Sequence, residues 1–168
     1  HCAAKLKDKS ELLQVLLSLC SCVEIKSEAE KQGWIVTHQG VCGKCSTTKD
    51  LYVYLTTDLT RPVRMCGIKH FTSHKKLWKC IKHLGFTDAC TQVWYWNTLN
   101  TKKQCGPICI LSLLLNRPFV IDDHLNKCLQ CDEDKSGPIF KYESGRTRRN
   151  SGIRSEIDRP KDQVYNMT

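Results

Sequence analysis

Apolar residues return at helical spacing in several stretches of the chain, and the elements they predict are short and closely punctuated. In residues 8–20, Leu12, Leu13, Leu16, Leu17 and Cys20 share one face, and Asp8 or Ser10 can cap the helix. Ser27 to Gln32 is a short polar helical segment closed by Gly33. Trp34-Ile35-Val36-Thr37 reads as a strand leading into Cys42 and Cys45. Residues 47–57 carry conflicting signals. Leu51 to Leu55 has strand composition, but Asp50 three residues after Thr47 marks a capped helix, and helix is the expectation. Asp58 to Pro62 is expected to turn the chain.

Residues 73–84 give the clearest helix. Ser73 caps it, Leu77, Trp78, Ile81 and Leu84 form one face, and Gly85 ends it. Lys75, Lys76, Lys79 and Lys82 cover the rest and predict a basic, solvated surface. Thr87 opens a further helix with Cys90, Val93 and Trp94 on its side. Gly106-Pro107 is expected to break the chain, Ile108 to Leu115 to be buried, and Asn116-Arg117-Pro118 to turn. Residues 141–163 are polar and rich in arginine. They read as an arm that wraps the domain or meets a partner through Arg146, Arg148, Arg149 and Arg154. The resulting expectation is an α+β fold: a helix-rich, disulfide-stapled domain over 1–140 with short strands, and an extended basic arm over 141–168.

Twelve cysteines in 168 residues change this picture. Cys20/Cys22, Cys42/Cys45, Cys105/Cys109 and Cys128/Cys131 lie in close pairs, and Cys2, Cys66, Cys80 and Cys90 stand apart. An even set of this density is the mark of an oxidising compartment, where all twelve are disulfide candidates. The spacing suggests that Cys105/Cys109 and Cys128/Cys131 each staple a turn, and that Cys20 and Cys22 reach distant partners. Zinc is disfavoured, because no short paired spacing links the two Cys-x-x-Cys pairs. A start at His1 is expected of a processed or partial chain. Asn166-Met167-Thr168 is a glycosylation sequon that leans the same way, towards secretion or a lumen. No apolar run approaches the roughly 20 residues that span a bilayer.

The net charge of +9 favours an anionic partner. Nucleic acid fits poorly with a disulfide-bonded secreted chain, and no zinc-finger or RNA-binding pattern is present. An acidic glycan or an acidic protein fits better, as does assembly with other subunits through the arm.

Two local resemblances bear on chemistry, and a third resemblance spans the chain. Gln39-Gly40-Val41-Cys42-Gly43-Lys44-Cys45-Ser46 resembles the nucleophile segment of papain-like cysteine peptidases. The resemblance implies Gln39 as oxyanion donor, Cys42 as a bridged cysteine and Cys45 as nucleophile. His124 is then the one histidine late enough in the chain to serve as base. Asp132 to Glu143 resembles the twelve-residue calcium loop of EF-hands, which implies Asp132, Asp134, Ser136 and Glu143 as ligands around a turn at Gly137. The competing reading of that segment is an acidic turn followed by a strand. Finally, Cys42 to Ser46, Cys128 to Asp132 and Gly145 to Gly152 resemble stretches of uncharacterised cysteine-rich proteins of algal genomes, and no function comes with that resemblance.

The expected function is therefore a secreted or lumenal structural or interaction protein that binds an acidic partner and needs no cofactor. The alternatives are a cysteine hydrolase using Cys45 and a calcium-binding extracellular module.

Overall fold

The computed structural model of the protein describes residues 2–4, 21–22, 31, 33, 35–155, 157 and 164. The helix expected over 8–20, most of the segment 27–32, the Cys20 pairing and the Asn166 sequon lie outside these residues. The fold is α+β. Strands β1 (Cys2–Ala4), β2 (Ser21–Cys22) and β3 (Ile35–His38) form an antiparallel sheet in the order β2-β1-β3. Five helices then pack in succession: α1 (Thr48–Thr56), α2 (Thr60–Lys69), α3 (His74–Lys82), the long α4 (Asp88–Leu114) and, after a two-stranded hairpin, α5 (Lys127–Lys135). The hairpin is β4 (Val120–Ile121) and β5 (His124–Leu125). Helix α6 (Gly137–Ser144) and a 3-10 turn at Arg149–Ser151 complete the described chain.

Side-chain caps start these helices where the sequence places them. Thr47 accepts from the Asp50 amide, Ser73 from Lys76 and Thr87 from Cys90. Asp50 also couples two helices. It lies in the first turn of α1 and accepts from the amide and the hydroxyl of Thr87, the cap of α4, at 2.9 and 3.0 Å. The strand composition of residues 51–55 is overridden because Val53 and Tyr54 are buried while Tyr52 and Leu55 are exposed. That is a helical stripe and not an alternation.

Three expectations fail on helix continuity. Pro62 does not sit in a turn. It lies in the first turn of α2, where its missing N–H has no intrahelical partner to lose. Gly106-Pro107 does not break the chain, and α4 runs through it. Cys105 pairs with Cys131 and Cys109 with Cys128, so α5 is clamped to α4 on both sides of the proline. The segment 132–143 is neither an acidic turn nor a strand, because it falls within α5 and α6.

The cysteines staple helices and not turns. Cys105 and Cys109, four apart on α4, share a face, as do Cys128 and Cys131, three apart on α5. Antiparallel packing pairs them crosswise. Cys66–Cys80 ties α2 to α3, and Cys45–Cys90 ties the loop before α1 to α4. Cys42 is also disulfide-bonded, and no cysteine is free among the described residues. Between the staples an aromatic core runs from Tyr54 to Phe86, Phe86 to Trp94 and Trp94 to Phe140, with ring centroids 5.8, 6.0 and 4.7 Å apart.

The residues after 140 are built into the domain. The amides of Lys44 and Cys45 donate to Glu143 O and Ser144 O, each at 2.9 Å, and Gly43 meets Gly145 backbone to backbone. A Cβ on Gly43 would lie 2.5 Å from Gly145 N, and Gly145 holds φ at +67°. We expect Gly43→Ala to cost about 1–3 kcal/mol or more by overpacking. Denaturant unfolding of the oxidised protein checks this, with Gly106→Ala as the opposite case: its Cβ meets nothing within 4 Å, and in the interior of α4 the change should stabilise by about 0.5–1 kcal/mol.

Candidate functional site

The peptidase-like segment forms a buried knot and not a catalytic centre. Cys45 is wholly buried and bonded to Cys90, so it has no thiolate to offer. Gln39 faces Asn150. Its amide donates to Asn150 O at 2.7 Å, and its carbonyl accepts from Asn150 Nδ2 at 2.9 Å. His124 lies exposed on the β4–β5 hairpin, with Nδ1 2.6 Å from Asp122 O. The three residues are therefore not assembled as nucleophile, oxyanion donor and base.

A different pair occupies the knot. His38 Nδ1 is 2.9 Å from Gln39 O, a pure acceptor, so Nδ1 carries the proton and Nε2 accepts from Ser46 Oγ at 2.8 Å. That is the tautomer an activated serine needs. Yet His38 is fully buried and Ser46 is 2% exposed. The Ser46 oxygen also receives the Gly43 amide at 2.8 Å. The pair closes the loop and is not open to substrate. Burial, aided by the nearby Arg146 charge, lowers the His38 pKa to about 4.

The calcium reading fails on geometry. Thr101 Oγ1 donates to Asp132, Gln130 Nε2 to Asp134, Asn100 Nδ2 to Ser136 Oγ and Lys44 Nζ to Glu143. The four expected ligands thus turn to four different partners, because two helices replace the loop. Among the described residues no group of three or more His, Cys, Asp or Glu side chains is placed to hold a metal ion.

The arginines expected on a partner-binding arm divide. Arg146 is 1% exposed and buried as a structural tie. Arg148 donates to Arg154 O and Thr57 O, and Arg149 lies 3.7 Å from Glu133. The Arg154 side chain is exposed. Basic charge is displayed instead on α3, where Leu77 and Ile81 face the core while Lys75, Lys76 and Lys79 are exposed.

Sequence reading missed a half-open cavity of about 1000 Å³ lined mainly by α2, α4, α5, α6 and the segment after Gly145. Val63, Ile110, Leu113, Leu129, Phe140 and Ile153 supply apolar wall. Arg64 lies 5.6 Å from the Phe119 ring centroid, and Lys102 lies 3.9 Å from that of Phe71. No local sequence signal announces this space, since its walls come from four helices.

A family model described as a family of unknown function (DUF8771) matches residues 74–167, more than half of the chain. The chain belongs to this family. No curated protein and no solved structure matches it. The span shared with DUF8771 begins at α3 and includes Cys105, Cys109, Cys128 and Cys131, hence the whole crosswise clamp. Cys45 and Cys66, which pair with cysteines inside the DUF8771 span, lie before it.

Two measurements check this geometry. Iodoacetamide is expected to leave Cys45 unlabelled in the native protein, and Cys45→Ser with Cys90→Ser to cost about 4 kcal/mol on chain-entropy grounds. The pH dependence follows from His38. The unfolded imidazole takes up a proton near pH 6.5, which the folded one refuses until about 4. Stability is therefore whole above the unfolded value and falls as pH drops through this window, by on the order of 3 kcal/mol. Chemical unfolding at stepped pH should show this slope, and His38→Gln should flatten it.

Proposed function

We propose that the protein is a secreted or lumenal binding module that holds an anionic polymer, a sulfated or carboxylated glycan, on the lysine face of α3. Four disulfides among the described residues support the oxidising compartment. Among those residues no helix is long and apolar enough to cross a membrane.

The placement of charge on α3 carries the reading. His74, Lys75 and Lys76 fill the first turn, where the helix dipole favours acidic residues, and α3 has no acidic residue at all. Lys75 and Lys79 stand one turn apart, a like-charge spacing that destabilises a helix by a few tenths of a kcal/mol. Local stability alone would select against this pattern. An anionic partner reverses the sign of both effects by neutralising the face. Lys82 is excluded from the face, because it is turned to Asp88 at 2.6 Å and to Phe86 O at 2.9 Å.

Heparin-agarose chromatography of the oxidised protein tests the proposal. Retention is expected well above physiological salt (about 0.15 M). The triple change Lys75→Glu, Lys76→Glu, Lys79→Glu should abolish it. Lys103→Glu, Lys127→Glu, Lys135→Glu, with the same net charge, should retain most of it. No retention of the wild type, or equal loss in both triples, contradicts the reading.

A further inference from the structure

Independently of the α3 face, we infer that the cavity between α2, α4, α5 and α6 binds one single-chain anionic amphiphile, with its acyl chain inside and its carboxylate or phosphate head at Arg64 and Lys102. The volume of about 1000 Å³ is at the upper end of pockets that hold one small ligand (about 300–1,000 Å³). The wall contributed by Val63, Ile110, Leu113, Leu129 and Phe140 offers nothing a polar ligand could use. Such a surface favours a long hydrocarbon at about 0.8 kcal/mol per buried methylene.

The charge of the lining points to an anionic head. Six cationic side chains line the cavity (Arg64, Lys102, Lys141, Arg148, Arg149 and Arg154) against two carboxylates, Asp132 and Glu133. Glu133 is shared by Lys141 and Arg149 at 3.6 and 3.7 Å. Asp132 accepts from Thr101, and burial raises its pKa. Arg64 and Lys102 are different. Neither meets a carboxylate among the described residues, each is held over an aromatic ring that also lines the cavity, and one of the three Lys102 donors goes to Phe71 O at 2.6 Å. Half-buried cations on aromatic platforms at the edge of an apolar space suit a head group entering with its chain.

The end of α4 offers a path. The segment expected to be buried is an open apolar edge: Ile110 and Leu113 line the cavity yet are 48% and 41% exposed, and Leu111, Leu114 and Leu115, interleaved with them, are 56%, 76% and 55% exposed. A chain leaving the cavity along this helix end stays on apolar surface.

The test uses the oxidised full chain and cis-parinaric acid, a fluorescent long-chain carboxylate, displaced by oleate, by oleoyl lysophosphatidate and by neutral oleyl alcohol. Saturable binding at one probe per chain is expected, with either anion displacing it at least tenfold better than the alcohol. The anion that competes better identifies the head group. Arg64→Gln with Lys102→Gln should weaken oleate at least tenfold and leave the alcohol unchanged. Gly106→Phe fills the cavity from a position where a Cβ meets nothing within 4 Å, and should abolish binding while far-UV dichroism is unchanged and the melting temperature is not lowered. No saturable binding by the wild type, equal binding of oleate and alcohol, or undiminished binding by folded Gly106→Phe overturns the proposal.

Discussion

One buried guanidinium joins parts of the chain that are otherwise far apart in sequence. Arg146 donates through Nε to Cys45 O at 3.1 Å, through Nη1 to Thr37 O at 2.8 Å, and through Nη2 to Thr37 Oγ1 at 2.9 Å and Ser46 O at 3.3 Å. Its own carbonyl receives the Tyr54 hydroxyl at 3.3 Å. Strand β3, the loop before α1, helix α1 and the exit from α6 all converge on this residue. Burying such a charge costs several kcal/mol unless its donors are filled. Burial lowers the Arg146 pKa to about 10, still far above neutrality, so the group remains charged and its donors must be met. That requirement fixes the loop that also carries Cys45, Ser46 and the Gly43–Gly145 crossing.

The same convergence explains why the segment that most resembles an active site is inert. A nucleophile needs an open face and a mobile proton. Here Cys45 is spent in a bond to α4, and Ser46 is caught between the Gly43 amide and the His38 ring. The open surfaces lie elsewhere, on the lysine face of α3 and in the cavity beside α4. Both lie largely within the part of the chain shared with DUF8771, whereas β3 and the loop carrying Cys45 and Ser46 precede it and Arg146, which ties them, lies inside it. The α3 face and the cavity walls are themselves stapled, by Cys66–Cys80 and by the Cys105–Cys131 and Cys109–Cys128 clamp, and a site holds its geometry best on elements that do not move.

What could be read from the sequence was local. Thr47, Ser73 and Thr87 were recognisable as caps because a cap needs only a few adjacent residues. The helical face of Leu77 and Ile81 was visible for the same reason. The crosswise clamp was present as a pattern, spacings of four and of three on two helices, but Gly106-Pro107 suggested a break that would have separated the cysteines. The β4–β5 hairpin turns at Asp122 and Asp123, both at positive φ, a role that aspartate fills without the usual glycine signal. The Arg146 tie was unreadable, because an arginine in a run of arginines looks like surface and its acceptors lie about a hundred residues away. The cavity was unreadable too, being a property of four helices together.

The most direct test is the stability of Arg146→Met, measured by denaturant unfolding of the oxidised protein beside Arg154→Met on the exposed part of the same segment. Methionine keeps much of the volume but withdraws the guanidinium donors from the carbonyls of Thr37, Cys45 and Ser46, at about 1–3 kcal/mol for each group left unsatisfied. The expected result is a loss of about 3 kcal/mol or more for Arg146→Met, with Arg154→Met within about 0.5 kcal/mol of the wild type. Equal stability of the two variants would contradict the central place given to Arg146.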